Sequence, residues 1–136
     1  MILFLRFFFS LVLASMLLVT TWASTKSPLF GVPAEVAGHP WFIAALFDAY
    51  WGFLTFYVWV FYKQTCWLAR GAWLVAILLL GNIAMAVYCL SELVDVDRNA
   101  PLSEVLTRRR TGPGWLGWGL AMTGVIVIVA AANNMG

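Results

Sequence analysis

The stretch that decides the fold is residues 41–62, WFIAALFDAYWGFLTFYVWVFY. Half of its 22 residues are aromatic, and Asp48 is its single charged residue. A helix of this length rises about 33 Å, which is enough to cross the roughly 30 Å hydrocarbon core of a bilayer. Because lipid cannot hydrate a carboxylate, Asp48 is expected to face protein, water or a ligand.

The composition of the whole chain agrees with a membrane protein. Of its 136 residues, 63% are hydrophobic and 10% are charged, whereas soluble domains carry about a quarter charged residues. The net charge of +2 gives no reason to expect nucleic-acid binding. Cys66 and Cys89 are too few for a disulfide framework, and no spacing resembles a zinc or haem site, so we expect free thiols and no metal ligands.

Four apolar runs are long enough to span a membrane: residues 2–22, 41–62, 72–94 and 115–132. We therefore predict one all-α membrane domain, a bundle of four transmembrane helices with polar loops at 24–40 and 95–114. The expected location is a multi-pass position in the bacterial inner membrane or an equivalent one. The first run could be a signal peptide cleaved near Ala23 or a retained helix, and Trp22 as an interfacial anchor favours retention.

Two features predict how these helices pack. The connection at residues 63–71 is short, so the second and third helices should be antiparallel neighbours. In the last run, Gly117, Ala121 and Gly124 share one face at the spacing of a helix-packing seam. The basic residues divide three against five between the two faces of a four-span arrangement, which leaves the orientation open.

A polar cluster is predicted inside the bundle. Counting residues away from a turn near residue 67 places Asp48 within one helical turn of the level of Tyr88, with Glu92 above it. We expect Tyr88 to donate to Asp48, with Thr20 beside them and Asn82 on the helix face that carries Glu92. Two interpretations stay open: a structural hydrogen-bonded acid, or a site for a proton, an ion or a small ligand.

Other residues could contact partners outside the chain. His39, Trp41 and Trp59 are candidates for binding a ligand or pigment, although helix entry and interfacial anchoring also explain them. The cofactor, if any, is unknown. Arg108, Arg109 and Arg110 are expected to lie at the membrane surface on anionic headgroups, or against an acidic patch of a partner protein.

The central residues resemble a known family. The segment HPWFIAALFDAYWGFLTFYVWVFYK, followed by LLLGNIAMAVY, is similar to the small membrane proteins of domain of unknown function 1475. The resemblance covers about residues 16–94 and leaves the run from Trp115 outside. It implies a membrane location and no established activity. The matching positions are Trp41, Asp48, Tyr50, Trp59, Tyr62, Lys63, Gly81, Asn82 and Tyr88, together with residues 21–24.

The sequence does not predict an enzyme, because it holds one His and no Ser-His-Asp, HExxH or CxxC pattern. The leading hypothesis is a non-catalytic accessory or assembly subunit of a larger membrane complex, with a pigment- or quinone-containing complex as one host. The alternative is a small oligomeric protein that handles ions or protons through Asp48. The expected partners are the bilayer and either a larger complex or further copies of the chain.

Overall fold

The structure is a computed structural model that describes residues 1–134, and all of the regular elements within them are helices. The sole β feature of that part of the chain is an isolated bridge between Gln64 and Arg110. Seven helices follow one another: α1 (Ile2–Lys26), α2 (Ala34–Ala37), α3 (Pro40–Lys63), α4 (Trp67–Leu80), α5 (Asn82–Val94), α6 (Leu102–Thr107) and α7 (Trp115–Asn133).

Three of the helices, α1, α3 and α7, are long and apolar enough to cross a membrane. They correspond to the predicted runs 2–22, 41–62 and 115–132. Pro40 occupies the first position of α3, where its fixed φ suits a helix and its missing N–H is not needed. The His39 ring nitrogen accepts a hydrogen bond from the Trp41 amide at 3.3 Å and caps this end.

The third predicted span, residues 72–94, is wrong as a single helix. The chain reverses at Gly81, which has φ +52° and ψ −125°, and it forms the separate shorter helices α4 and α5. A straight helix would place Glu92 roughly 37 Å from Trp67. Instead, the Glu92 carboxylate lies 2.5 Å from the Lys63 amine, just before α4 begins. The structure therefore does not confirm the four-span bundle, and it has three helices long and apolar enough to span a membrane.

Glycine is required at the reversal for two physical reasons. A side chain is strained at this positive φ. In addition, a Cβ at Gly81 would lie 2.7 Å from the Phe53 ring of α3, so the tip of the α4–α5 hairpin packs directly on α3. A polar contact also joins α3 and α4 as antiparallel neighbours, since the Tyr57 hydroxyl of α3 donates to the Arg70 carbonyl of α4 at 2.9 Å. The antiparallel arrangement predicted from the short connection is confirmed.

Helix α7 packs along α4, and the predicted small-residue seam is confirmed. Gly117, Ala121 and Gly124 are the buried residues of α7. A Cβ at Gly117 would lie 3.0 Å from the Trp73 ring, and one at Gly124 would lie 2.8 Å from the Leu79 side chain. The small size of the residues on this face lets the two helices approach closely.

Helix α1 begins beside the end of α5. Arg6 donates to the Leu93 carbonyl at 2.7 Å and to the Val96 carbonyl at 2.8 Å. Around these bonds a small core forms from Ile2, Leu93, Val96 and Val105. The start of α1 therefore packs against the loop that follows α5.

The molecule has two unlike ends. The charged end consists of the beginnings of α1, α4 and α7, the ends of α3 and α5, and residues 95–114. The opposite end carries residues 27–39. Seven of the eight Lys and Arg residues belong to the charged end, and Lys26 is the exception. The seven are Arg6, Lys63, Arg70, Arg98, Arg108, Arg109 and Arg110.

Candidate functional site

The most concentrated chemistry of the molecule is a buried ion-pair network at the charged end. Lys63 is the last residue of α3, and Glu92 lies in the last turn of α5. Both side chains are almost inaccessible to solvent, and their charged groups are 2.5 Å apart. The Lys63 amine also donates to the Val105 carbonyl in α6. The Gly81 reversal creates the pair, because it carries α5 back to the level at which α3 ends.

Two arginines of the loop after α6 complete the network. Arg110 donates to the Glu92 carboxylate at 2.9 Å and to Asp95 at 2.6 Å. Its backbone is fixed by the bridge to α3, in which the Arg110 amide donates to the Lys63 carbonyl at 2.8 Å. Arg108 donates to the carbonyls of Asp95 and Glu92 at 3.0 and 3.3 Å. Three cations thus surround two carboxylates.

The surroundings of Arg110 keep its side chain charged. Burial by itself would lower the pKa of this guanidinium, but the hydrogen bonds and charges of Glu92 and Asp95 raise the pKa above its ordinary value. Glu92 therefore faces a charged guanidinium that comes from outside α5. Such a pair is costly to break, because one charge would remain buried without a counter-charge.

Tyr88 lies next to the network, in an aromatic box that it forms with Phe56, Trp59 and Trp73. Its ring meets Trp73 edge to face at 4.8 Å, Trp59 at 5.5 Å and Phe56 at 6.0 Å between centroids. The Gln64 amide donates to the Tyr88 hydroxyl at 3.3 Å. Tyr88 is fully buried, so the box joins α3, α4 and α5 into one core.

A cleft opens beside the network and the box. It has a volume of about 510 Å³ and lies between α4, α5 and the start of α7. Its walls include the buried polar groups already described and an apolar side formed by tryptophans and Leu116. The residues that line it include Gln64, Trp73, Tyr88, Arg110, Gly112 and Trp115.

Asp48 lies away from all of this, and the predicted Asp48–Tyr88 pair is wrong. Asp48 is exposed on α3, and its carboxylate makes no hydrogen bond or ion pair with any residue in 1–134. Asp48 and Tyr88 do not share a level of the membrane because residues 72–94 do not continue in one direction. Since α5 turns back toward the charged end, Tyr88 lies near Gln64 instead, at the level of the end of α3.

The remaining members of the predicted polar cluster are also dispersed. Thr20 is exposed and donates to the Met16 carbonyl of its own helix at 2.7 Å. Asn82 is exposed at the first position of α5, at the tip of the hairpin. Of the five predicted residues, the structure brings together Tyr88 and Glu92, both in α5.

The candidate ligand contacts have identifiable structural positions. His39 caps α3 as described, and Trp41 is 79% exposed beside it. Trp59 is half-buried, donates its indole N–H to the Leu106 carbonyl at 3.0 Å and packs on Tyr88. Ligand binding by these residues stays a prediction. The sequence pattern does not reveal the contacts of Trp59 with Leu106 and Tyr88.

The three consecutive arginines divide into two kinds. Arg108 and Arg110 point into the network, whereas the exposed Arg109 stacks over the Tyr62 ring at 4.2 Å. Contact with headgroups or with a partner protein stays a prediction for all three. Sequence reasoning missed Lys63, Gln64 and Asp95 as members of the site. The available signal was Gly81 within an apolar run, which hinted at a break between α4 and α5.

Comparison with known families gives one match. A family model described as "Protein of unknown function (DUF1475)" matches residues 1–111. The chain belongs to this family. The matched segment contains the whole ion-pair network and the α4–α5 hairpin, and it ends before α7 begins. No curated protein and no solved structure matches the chain.

Proposed function

We propose that this member of the family is a non-catalytic accessory or assembly subunit of a larger membrane complex, which it joins through the face of α3 that carries Asp48. The observation that carries the proposal is an exposed carboxylate, on a helix long enough to span a membrane, that has no partner in the described chain. An acid in such a position is costly unless protein, water or a ligand compensates it.

The depth of Asp48 supports this argument. It lies eight residues after Pro40, the first residue of α3, or about 12 Å along the helix. In a hydrocarbon layer about 30 Å thick that is centred on α3, this position is inside the layer. The short side chain of aspartate cannot reach the headgroups as lysine and arginine do. A polar or basic group from another membrane helix would compensate it.

The same face of α3 is open to a partner. Gly52 lies one helical turn from Asp48, and a Cβ at Gly52 would meet no atom within 4 Å. Thr55, one turn further, is exposed and donates only to the Trp51 carbonyl of its own helix, at 2.8 Å. A small residue between an acid and a hydroxyl suits close approach of a second helix. The host is a membrane complex, and the aromatic content of α3 fits one that contains a pigment or quinone.

The proposed membrane arrangement has α1, α3 and α7 as spans and the α4–α5 hairpin entering and leaving from the charged end. Because seven of the eight basic residues lie at that end, the bias of Lys and Arg toward the cytoplasm favours a cytoplasmic position for it. The packing of α1 on α5 supports retention of α1. The bacterial inner membrane, or an equivalent one, is the proposed location.

Cysteine labelling tests this arrangement in a variant that lacks Cys66 and Cys89. Cysteines introduced at Thr65 and Asn99 should both react from the cytoplasmic face, and a cysteine at Ser27 should react from the opposite face. A four-span bundle predicts instead that positions 65 and 99 react from opposite faces. That outcome would overturn the hairpin arrangement.

The functional proposal is tested by purifying the tagged protein from its native membrane in a mild detergent. Particle mass, co-purifying subunits and the absorption spectrum should be recorded together. We expect a large particle with fixed partners, and visible absorbance would identify a pigment-containing host. A small colourless homo-oligomer would contradict the proposal.

The alternative, a small oligomeric protein that handles ions or protons, rests on the same unpaired Asp48. The two proposals differ in what Asp48→Asn removes. A subunit should lose its partners, because the charge at the contact is gone. An ion- or proton-handling oligomer should keep its assembly and lose flux across proteoliposomes.

A further inference from the structure

Two arginines of the charged end are not used by the ion-pair network. No ion pair within residues 1–134 involves Arg70 or Arg109. The seven basic residues of this end outnumber its acidic residues, which are Glu92, Asp95, Asp97 and Glu104. The first two of these acids are bound by other cations. Arg70 and Arg109 therefore keep their charges for an anion from outside the chain.

Arg70 is fixed in place beside the turn between α3 and α4. Its Nε donates to the Gln64 carbonyl at 2.8 Å, and its Cζ lies 4.0 Å from the centroid of the Phe61 ring and 4.7 Å from that of the Trp67 ring. A guanidinium has five N–H groups, and this bond uses one of them. The two Nη atoms make no hydrogen bond in residues 1–134, so they form a preorganised fork that suits the oxygens of a phosphate.

Arg109 is stacked on a ring of the same helix end. Its Cζ lies 4.2 Å from the centroid of the Tyr62 ring, and its exposed side chain makes no hydrogen bond in the described part of the chain. The attraction between a cation and an aromatic face favours this position of the side chain. All five N–H groups of Arg109 are open to an acceptor from outside.

Phe61 and Tyr62 place these arginines on the outer side of α3. Val60 and Lys63 are buried against the rest of the chain, whereas Phe61 and Tyr62 between them are 38% and 48% exposed. At about 100° per residue, positions 60 and 63 share the inner side of the helix, and positions 61 and 62 flank the opposite side. The two stacked arginines therefore flank the outer side of the last turn of α3.

The level of these groups along α3 favours a lipid over a soluble anion. Helix α3 is long and apolar enough to span a membrane, and it ends at Lys63. Trp67 is the first residue of α4 and is 73% exposed. Tryptophan and tyrosine are enriched where a spanning helix passes from hydrocarbon to headgroups, so Tyr62 and Trp67 mark this level. The anion that a bilayer offers there is the headgroup phosphate of a phospholipid.

We propose that the outer surface formed by Phe61, Tyr62, Trp67, Arg70 and Arg109 binds anionic phospholipid. The Nη atoms of Arg70 and the guanidinium of Arg109 donate to headgroup phosphate oxygens, and the exposed rings lie against the glycerol and the first acyl carbons. Basic residues beside membrane helices on the cytoplasmic side are a recognised environment for such headgroups. This inference rests on α3 spanning a membrane and does not depend on the role proposed for Asp48.

Arg109→Gln tests the surface without removing a hydrogen bond of the fold, since the Arg109 side chain makes none in residues 1–134. Arg98→Gln is the matched control, because it removes the same charge from another exposed arginine of the charged end, one that makes no ion pair and stacks on no ring in the described residues. Arg70→Gln removes the second arginine. Arg109→Gln decides the test by itself if Arg70→Gln does not fold, because Arg70 also binds the Gln64 carbonyl.

Native mass spectrometry of the detergent-solubilised protein counts the phosphatidylglycerol and phosphatidylcholine molecules that each variant retains from an equal mixture. Phosphatidylcholine is the comparison lipid, because its choline cation cancels the charge of its phosphate. A detergent micelle has no charged lipid layer, so the count reports lipids that the protein itself holds.

We expect the unsubstituted chain and Arg98→Gln to retain phosphatidylglycerol at least about tenfold better than phosphatidylcholine. Arg109→Gln and Arg70→Gln should each lower this ratio about fivefold, the effect of one arginine beside an anionic headgroup. An unchanged ratio in either variant, or equal retention of the two lipids by the unsubstituted chain, would overturn the proposal. Displacement of phosphatidylglycerol by millimolar inorganic phosphate would also overturn it and assign the arginines to a soluble anion. Loss of a co-purifying subunit from Arg109→Gln with unchanged lipid counts would instead assign them to an acidic protein surface.

Discussion

Glu92 and Asp48 are two acids in apolar helices, and their surroundings are opposite. Glu92 is 1% exposed and bound by Lys63 and Arg110, so the fold itself compensates its charge. Asp48 is exposed on α3 without a partner in the described chain. The difference separates two tasks in one small protein. The charged end holds the chain together, and the proposed contact with a partner lies on the outer face of α3.

The largest effect on the contrast between the two acids is expected from neutralising Glu92. Glu92→Gln leaves the buried Lys63 amine without a counter-charge, and we expect unfolding to become easier by about 3 to 5 kcal/mol. Thermal unfolding in detergent, followed by circular dichroism, measures the effect. Glu104→Gln is the control, since this exposed acid of the same end makes no ion pair in residues 1–134 and should change stability by less than about 0.5 kcal/mol. Equal effects of the two substitutions would show that the network does not hold the fold.

The hairpin that builds the network can be tested next, at Gly81. In Gly81→Ala the new Cβ meets the Phe53 ring, and the alanine backbone must keep a positive φ. We therefore expect the free energy of unfolding to fall by about 1 to 3 kcal/mol. Gly71→Ala is a control with the opposite sign: its Cβ meets open space within α4, and removing a helical glycine should stabilise by up to about 1 kcal/mol. Chemical denaturation of both variants compares them, and a neutral Gly81→Ala would contradict the reversal.

A smaller effect is expected at the Tyr88 hydroxyl. Tyr88→Phe keeps the edge-to-face packing with Trp73 and removes the hydrogen bond from Gln64, which should cost about 1 kcal/mol. Tyr50→Phe is the matched control, because Tyr50 is 46% exposed and its hydroxyl makes no hydrogen bond in the described residues. The melting temperatures of the two variants should differ. If they coincide, the hydroxyl does not stabilise the box.

Much of the fold could be predicted from the sequence, because hydrophobic length is a direct physical signal. The spans 2–22, 41–62 and 115–132 follow from that signal, and the seam of α7 follows from the spacing of its small residues. The reversal at Gly81 could not be predicted from length, because residues 72–94 are long enough to span without a break. The backbone conformation of Gly81 and the contact between Lys63 and Glu92 show that α5 returns.

The site was predicted less well, and the cause is that one reversal. With α5 assumed to continue, Tyr88 was placed beside Asp48 and Glu92 above it. In the structure both lie near the end of α3, where Lys63 and Gln64 meet them. The arginines at 108–110 were assigned to the membrane surface from their charge alone. The charges of these arginines do not show which of them bind the Glu92 carboxylate.

The most direct test of the account is Asp48→Asn, with particle mass and thermal stability measured on the same preparation from native membranes. Thr123→Val is the control, since Thr123 is exposed on α7 and donates to the Gly119 carbonyl of its own helix. We expect Asp48→Asn to keep its melting temperature and lose its co-purifying partners, while Thr123→Val keeps both. A variant that retains a large particle with all its partners would contradict the proposed contact through Asp48.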